Sequence, residues 1–141
     1  KIVGEPAGLR FEEEKLNKLK GKTVEFLGRV SDGELYKLYG QCKAFLALAQ
    51  DEDFGITPVE AMAAGRPVVA YRGGGYIESV VDRKTGLFFD EYSVDSLVQA
   101  IESFGKLRIK PEDCQKQAEK FSKERFEKEI KDFVKANYKK N

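Results

Sequence analysis

The sequence predicts an α/β fold: a doubly wound parallel sheet with helices on both faces and a helical C-terminal tail. Three observations carry this. Short, β-branched, nearly continuous apolar runs suit strands buried on both faces. These runs alternate with helix-period stretches, the order that builds a parallel sheet through right-handed crossovers. The 141 residues suit one domain with its own core.

The first strand is expected at Lys1–Val3 and the second at Thr23–Leu27, with a helix over Glu12–Lys20 between them. A helix over Ser31–Cys42 follows, opened by Ser31 with Glu34 three residues on, the spacing of a capping box. The third strand is read at Ala44–Ala49. Thr57–Ala64 forms the next helix and stops at Gly65, a residue suited to the left-handed position after a helix. Strands at Pro67–Tyr71 and Leu87–Phe89 flank a helix at Tyr76–Val81, and Ser93–Phe104 is helical again. Pro111 suits the first turn of a helix, and Ser122 the N-cap of a charged amphipathic helix running to about Tyr138. One domain over 1–141 is expected, with a core at 1–105 and C-terminal helices at 106–141 packed on it. Such Rossmann-like domains bind ligands beside their first, central strand. Only Lys1 precedes Ile2, so Ile2–Val3 reads as a second strand, and the central one is expected upstream.

Composition excludes several functions. There is no histidine, which removes Ser-His-Asp and Cys-His nucleophile systems and histidine metal sites from this chain. Basic and acidic residues nearly cancel, leaving +1, so no field for nucleic acid is expected. Cys42 and Cys114 stand far apart, without a CxxC motif, which points to a reducing, cytoplasmic setting. No apolar run approaches the roughly 18 residues of a membrane span. Chemistry is left to carboxylates, Lys and Arg, and backbone amides.

The stretch from Gln50 to Ala70 is the most informative. It reads as a strand end, an acidic loop, a glycine turn and a helix start. Gly55 lets backbone approach a ligand, and free amides of Phe54, Gly55 and Ile56 would form an anion site at the helix dipole's positive end. Glu52 on the loop and Glu60 one turn into the helix would face the crevice and accept hydrogen bonds from sugar or ribose hydroxyls. Acids near a helix start also complement the dipole without any ligand, and spacing alone favours that reading.

The whole run resembles the C-terminal, donor-binding half of family 4 retaining glycosyltransferases of the GT-B fold. Their E-x7-E signature reads Glu52-Asp-Phe-Gly-Ile-Thr-Pro-Val-Glu60, followed by Ala-Met-Ala-Ala-Gly-Arg-Pro-Val-Val-Ala. Val24-Glu-Phe-Leu-Gly-Arg-Val-Ser-Asp32 matches upstream, and Gly74-Gly-Tyr-Ile-Glu78 and Lys84-Thr-Gly-Leu-Phe88 match downstream. The resemblance spans roughly residues 1–105 in collinear order. It implies that Glu52 binds donor-sugar hydroxyls and is the catalytic candidate. The Phe54, Gly55 and Ile56 amides would hold sugar and diphosphate, and Glu60 the ribose. Val30 and Asp32 would flank the base, and Gly74 and Gly75 would form the pocket wall. Glu78 would tie that turn to its neighbours. Each position has a structural alternative: loop packing for Val30, helix-start electrostatics for Asp32, a plain strand-to-helix turn for the glycines. Arg66 and Arg72 are expected to be solvated rather than bound to phosphate, and Phe88 and Phe89 to lie in the core.

The resemblance further implies retaining transfer of a hexose, best matched by mannose from GDP-mannose, to a glycan or lipid-linked acceptor in polysaccharide assembly. No metal or other cofactor is implied; Asp51-Glu52-Asp53 reads as sugar-facing. An Arg and a Lys that neutralise the donor phosphates in full-length members, near a Gly-Arg…Lys-Gly segment, have no counterpart here. The N-terminal acceptor domain, with the family's active-site histidine, is expected to be missing too, so the chain is expected to be inactive alone. The intact enzyme would work in the cytoplasm, with room for peripheral association at the inner face of the membrane. Two rivals come from other classes: a non-catalytic nucleotide- or sugar-phosphate-binding module, and a partner-binding domain assembling through a sheet edge.

Overall fold

In a computed structural model the described residues are 1–5, 18 and 21–138. All of the expected helix at Glu12–Lys20 except Lys18 lies outside them. The chain divides into two compact units, Lys1–Leu38 and Tyr39–Asn141.

In the first unit, β1 (Ile2–Val3) pairs in parallel with β2 (Phe26–Gly28), Ile2 opposite Phe26 and Val3 opposite Gly28. The Ile2 amide donates to the Glu25 carbonyl at 2.8 Å. Both β1 side chains are exposed, unlike the doubly buried strand expected; among the described residues this two-residue strand pairs along one edge alone. Helix α1 (Asp32–Gln41) begins with the expected capping box. The Ser31 amide donates to the Glu34 carboxylate at 2.9 Å, and the Glu34 amide to the Ser31 hydroxyl at 3.4 Å. The Ser31 backbone bond, then its hydroxyl, holds the Glu34 carboxyl below its ordinary value. The division between the units falls within α1, whose last turn belongs to the second.

The second unit contains β3 (Phe45–Ala47), β4 (Val68–Tyr71) and β5 (Gly86–Phe89), all parallel and in that order, with β4 central. Phe45 faces Val68 across one ladder, and Val68 faces Gly86 across the other. Alternate side chains leave opposite faces. Val68, Ala70 and Phe88 join Val59, Met62, Tyr76, Cys114 and Ala118 on one side. Val69, Leu87 and Phe89 join Ala100 on the other, with Leu97 and Phe104 packed against them. Helices therefore cover both faces, as the alternating pattern predicts.

The first face carries α2 (Ile56–Ala63), α3 (Tyr76–Ser79) and α5 (Pro111–Ala118); the second carries α4 (Val94–Phe104). Gly65, at φ 74°, ends α2 in a Schellman motif: its amide reaches the Met62 carbonyl and that of Arg66 the Ala61 carbonyl, both at 2.9 Å. Ser93 caps α4 by accepting from the Ser96 amide at 3.2 Å. In the tail, α5 lies against α2, and the buried Gln117 amide donates to the Ser79 carbonyl at 3.0 Å. A 3-10 turn (Glu119–Phe121) leads to α6 (Lys123–Asn137), capped by Ser122 and laced by the i,i+4 pairs Arg125–Glu129 at 2.7 Å and Lys123–Glu127 at 3.7 Å. Among the described residues no helix is long and apolar enough to cross a membrane.

Candidate functional site

The loop from β3 to α2 is the centre of the expected site. Its last residue, Gly55, is the N-cap of α2 at φ 75° and ψ 70°, with no side-chain cap. The left-handed conformation explains glycine there. So does space: an added Cβ would lie 2.6 Å from Tyr76 Cε1 and 3.3 Å from Glu52 Cγ.

The turn is therefore occupied differently from expectation. Gly55 is buried under the Tyr76 ring, and its amide already donates to Glu52 Oε1 at 3.2 Å. A carboxylate three residues upstream serves as the helix cap that no side chain at position 55 can supply. Pro58, in the first turn, has no amide to offer. The donors open to a ligand are thus fewer than the expected set, while Phe54 and Ile56 on either side of Gly55 are exposed.

Gly74 and Gly75 hold this loop from the far side. The Gly75 amide donates to the Glu52 carbonyl at 2.8 Å. A Cβ on Gly74 would collide with that carbonyl oxygen, and one on Gly75 would lie 2.6 Å from the Asp53 carbonyl oxygen. Backbone packs on backbone, which is why two small residues precede α3. Tyr76 follows at once, and burial, then the Glu52 carboxylate, pushes its phenol above the ordinary value. Glu52, Phe54, Gly55, Ile56, Gly74 and Gly75 are thereby brought together.

Glu60 is half-buried one turn into α2 and accepts from the Tyr39 hydroxyl at 3.0 Å. The Tyr39 ring meets Phe45 edge-on, with centroids 5.7 Å apart. Val30 precedes the capping box and Asp32 is the first residue of α1; both belong to the first unit and are described with it alone. Glu78 is exposed, its amide donating to the Gly75 carbonyl at 3.2 Å, and it lines a groove of about 620 Å³ with Phe54, Phe121, Arg125 and Glu129. Phe121 meets the Phe54 ring edge-on at 5.6 Å.

The two arginines are engaged rather than simply solvated. Arg66 donates to the Gly40 carbonyl. Arg72 is clasped by Asp90 and, at 3.4 Å, by Asp82, and lies 4.5 Å over the Phe88 ring. Each follows the end of an element, where nearby acceptors outcompete water. Phe88 and Phe89 are buried, as expected. Among the described residues no group of three or more His, Cys, Asp or Glu is arranged to hold a metal ion.

Tyr39, Tyr76 and Phe121 escaped the sequence reading. Tyr76 carried a signal, lying directly after a glycine pair that must pack against the loop. Tyr39 and Phe121 carried none, since their partners are distant in sequence.

The family model for glycosyl transferases group 1 matches residues 1–121. The chain belongs to that family. Among group 1 relatives, an alpha-1,3/1,6-mannosyltransferase ALG2 of Dictyostelium discoideum is 38% identical over 91 residues, covering 59% of this chain and 22% of that protein. Sucrose synthase 1 of Hordeum vulgare is 39% identical over 79 residues, covering 55% of this chain and 10% of its own length. A crystal structure of Anabaena HepE in complex with UDP superposes with a TM-score of 0.74 at 25% identity, covering 95% of this chain and 40% of that one. The chain thus spans about a tenth to a fifth of these curated relatives, and the GT-B glycosyltransferase fold of its neighbours fits the layered sheet described above.

Proposed function

We propose that this group 1 glycosyltransferase chain binds the donor, a nucleoside-diphosphate hexose, for retaining transfer to a glycan or lipid-linked acceptor. The observation that carries the reading is the convergence of Glu52, the Phe54–Ile56 turn and the Gly74–Gly75 backbone at the N-terminus of α2. A helix start favours the negative charge that builds on a departing diphosphate. Glu52 is the catalytic candidate, accepting from donor-sugar hydroxyls as the sugar departs, and Glu60 accepts from the ribose. Val30 and Asp32 contact the base, and Gly74 and Gly75 wall the pocket. The UDP held by HepE supports a nucleoside-diphosphate donor. The ALG2 relatives support mannose as the hexose, hence GDP-mannose. No metal takes part in this reading.

Titration calorimetry tests it. Glu60→Ala should weaken UDP and GDP while leaving inorganic pyrophosphate unchanged. Glu52→Ala should weaken the nucleotide sugar more than the bare nucleotide. Equal binding by both variants and the parent protein overturns the reading.

A further inference from the structure

The geometry points to Tyr39 as a positioning residue that holds the Glu60 carboxylate in its ligand-binding orientation. This rests on the reading of Glu60 as the ribose acceptor and adds the device that aims it.

Tyr39 is itself fixed. Its side chain is 5% exposed, and its ring is wedged edge-on against Phe45, the first residue of β3. A second tie lies beside it, where Arg66, just beyond α2, donates to the carbonyl of Gly40. The last turn of α1 is therefore tied to α2 at Glu60 itself and through Arg66 just beyond the helix end. From this anchored position the phenol donates to Glu60 Oε2 at 3.0 Å.

A glutamate has three side-chain torsions, and an unaided one must surrender that freedom on binding. Here one oxygen is already held by a rigid aromatic donor. A carboxylate has acceptor sites on both oxygens, so Oε1 remains able to receive a pair of neighbouring hydroxyls. A cis-diol fits such a fixed acceptor better than a lone hydroxyl, and a ribose presents that pair. Positioning of this kind raises affinity by removing an ordering cost rather than by adding a contact to the ligand.

The test is made on the natural full-length protein with UDP and GDP, their 2′,3′-dideoxy counterparts and inorganic pyrophosphate, by calorimetry. The readout is the ratio of ribose to dideoxyribose affinity. Tyr39→Phe keeps the ring and its packing on Phe45, and should lower that ratio by about tenfold, the scale of one hydrogen bond to a charged group. Pyrophosphate binding should not change. Glu60→Gln should lower the ratio at least as far, and adding Tyr39→Phe to it should cost little more. A Glu60→Gln loss with no Tyr39→Phe loss overturns the positioning role and leaves the ribose reading standing. A parent protein that does not distinguish ribose from dideoxyribose overturns both. A Tyr39→Phe protein whose melting collapses assigns the hydroxyl to the fold and also overturns the proposal.

Discussion

Gly55 concentrates three demands on one residue: a left-handed backbone, room for the Tyr76 ring, and an amide within reach of Glu52. Gly55→Ala should therefore cost about 1–3 kcal/mol, the scale of a strained backbone position, read as a lower melting temperature. Cys114 makes a second case. Fully buried against the first face of the sheet, its thiol is pushed up to about 11 by burial, with Asp113 adding to the effect. The folded state thus holds the proton more tightly than the unfolded chain. The sign follows: the stabilisation is complete below the ordinary thiol value and is lost as pH rises towards about 11. Tyr76, raised by burial and by Glu52, acts in the same direction at still higher pH. Thermal melts at pH 8 and pH 10.5 should show the decline, and Cys114→Ala should flatten its thiol-dependent part. At neutral pH Cys114 should also resist alkylation in the folded protein.

The elements were the legible part of the sequence. β4, at Val68–Tyr71, was visible because a central parallel strand must be apolar on both faces, and Val68, Val69 and Ala70 are buried accordingly. The capping box of α1 and the glycine stop of α2 were visible because both are decided within a few residues. The pairing of Tyr39 with Glu60 was not, for those residues meet only after the chain has passed through β3 and the site loop. Nor was the occupied Gly55 amide, since sequence shows a donor and an acid three apart but not which acceptor arrives first. The cap of α6 gives a prediction at this scale. Ser122→Ala should cost about 1 kcal/mol, the ordinary worth of an N-cap. No residue of α6 is buried, so the loss should show as faster hydrogen exchange at the helix start, with the main melting transition nearly unmoved.

On the scale of the molecule, ligand binding and stability are linked. UDP or GDP at a hundred times its dissociation constant should stabilise the fold by about 2.7 kcal/mol. The resulting rise in melting temperature should shrink in Glu60→Ala, to about 1.4 kcal/mol of stabilisation at the same concentration for a tenfold weaker site. Near-equal numbers of acids and bases lead to a complementary expectation: duplex DNA at physiological salt should leave the melting temperature unchanged.

The Glu52–Gly55 clasp gives recognition here the character of an exchange. An entering oxygen that takes this donor displaces another already seated, so the count of bonds at the turn is the same before and after. Heat released at that one bond should be small, and discrimination among guests falls to the acceptors around it, the Glu52 and Glu60 carboxylates.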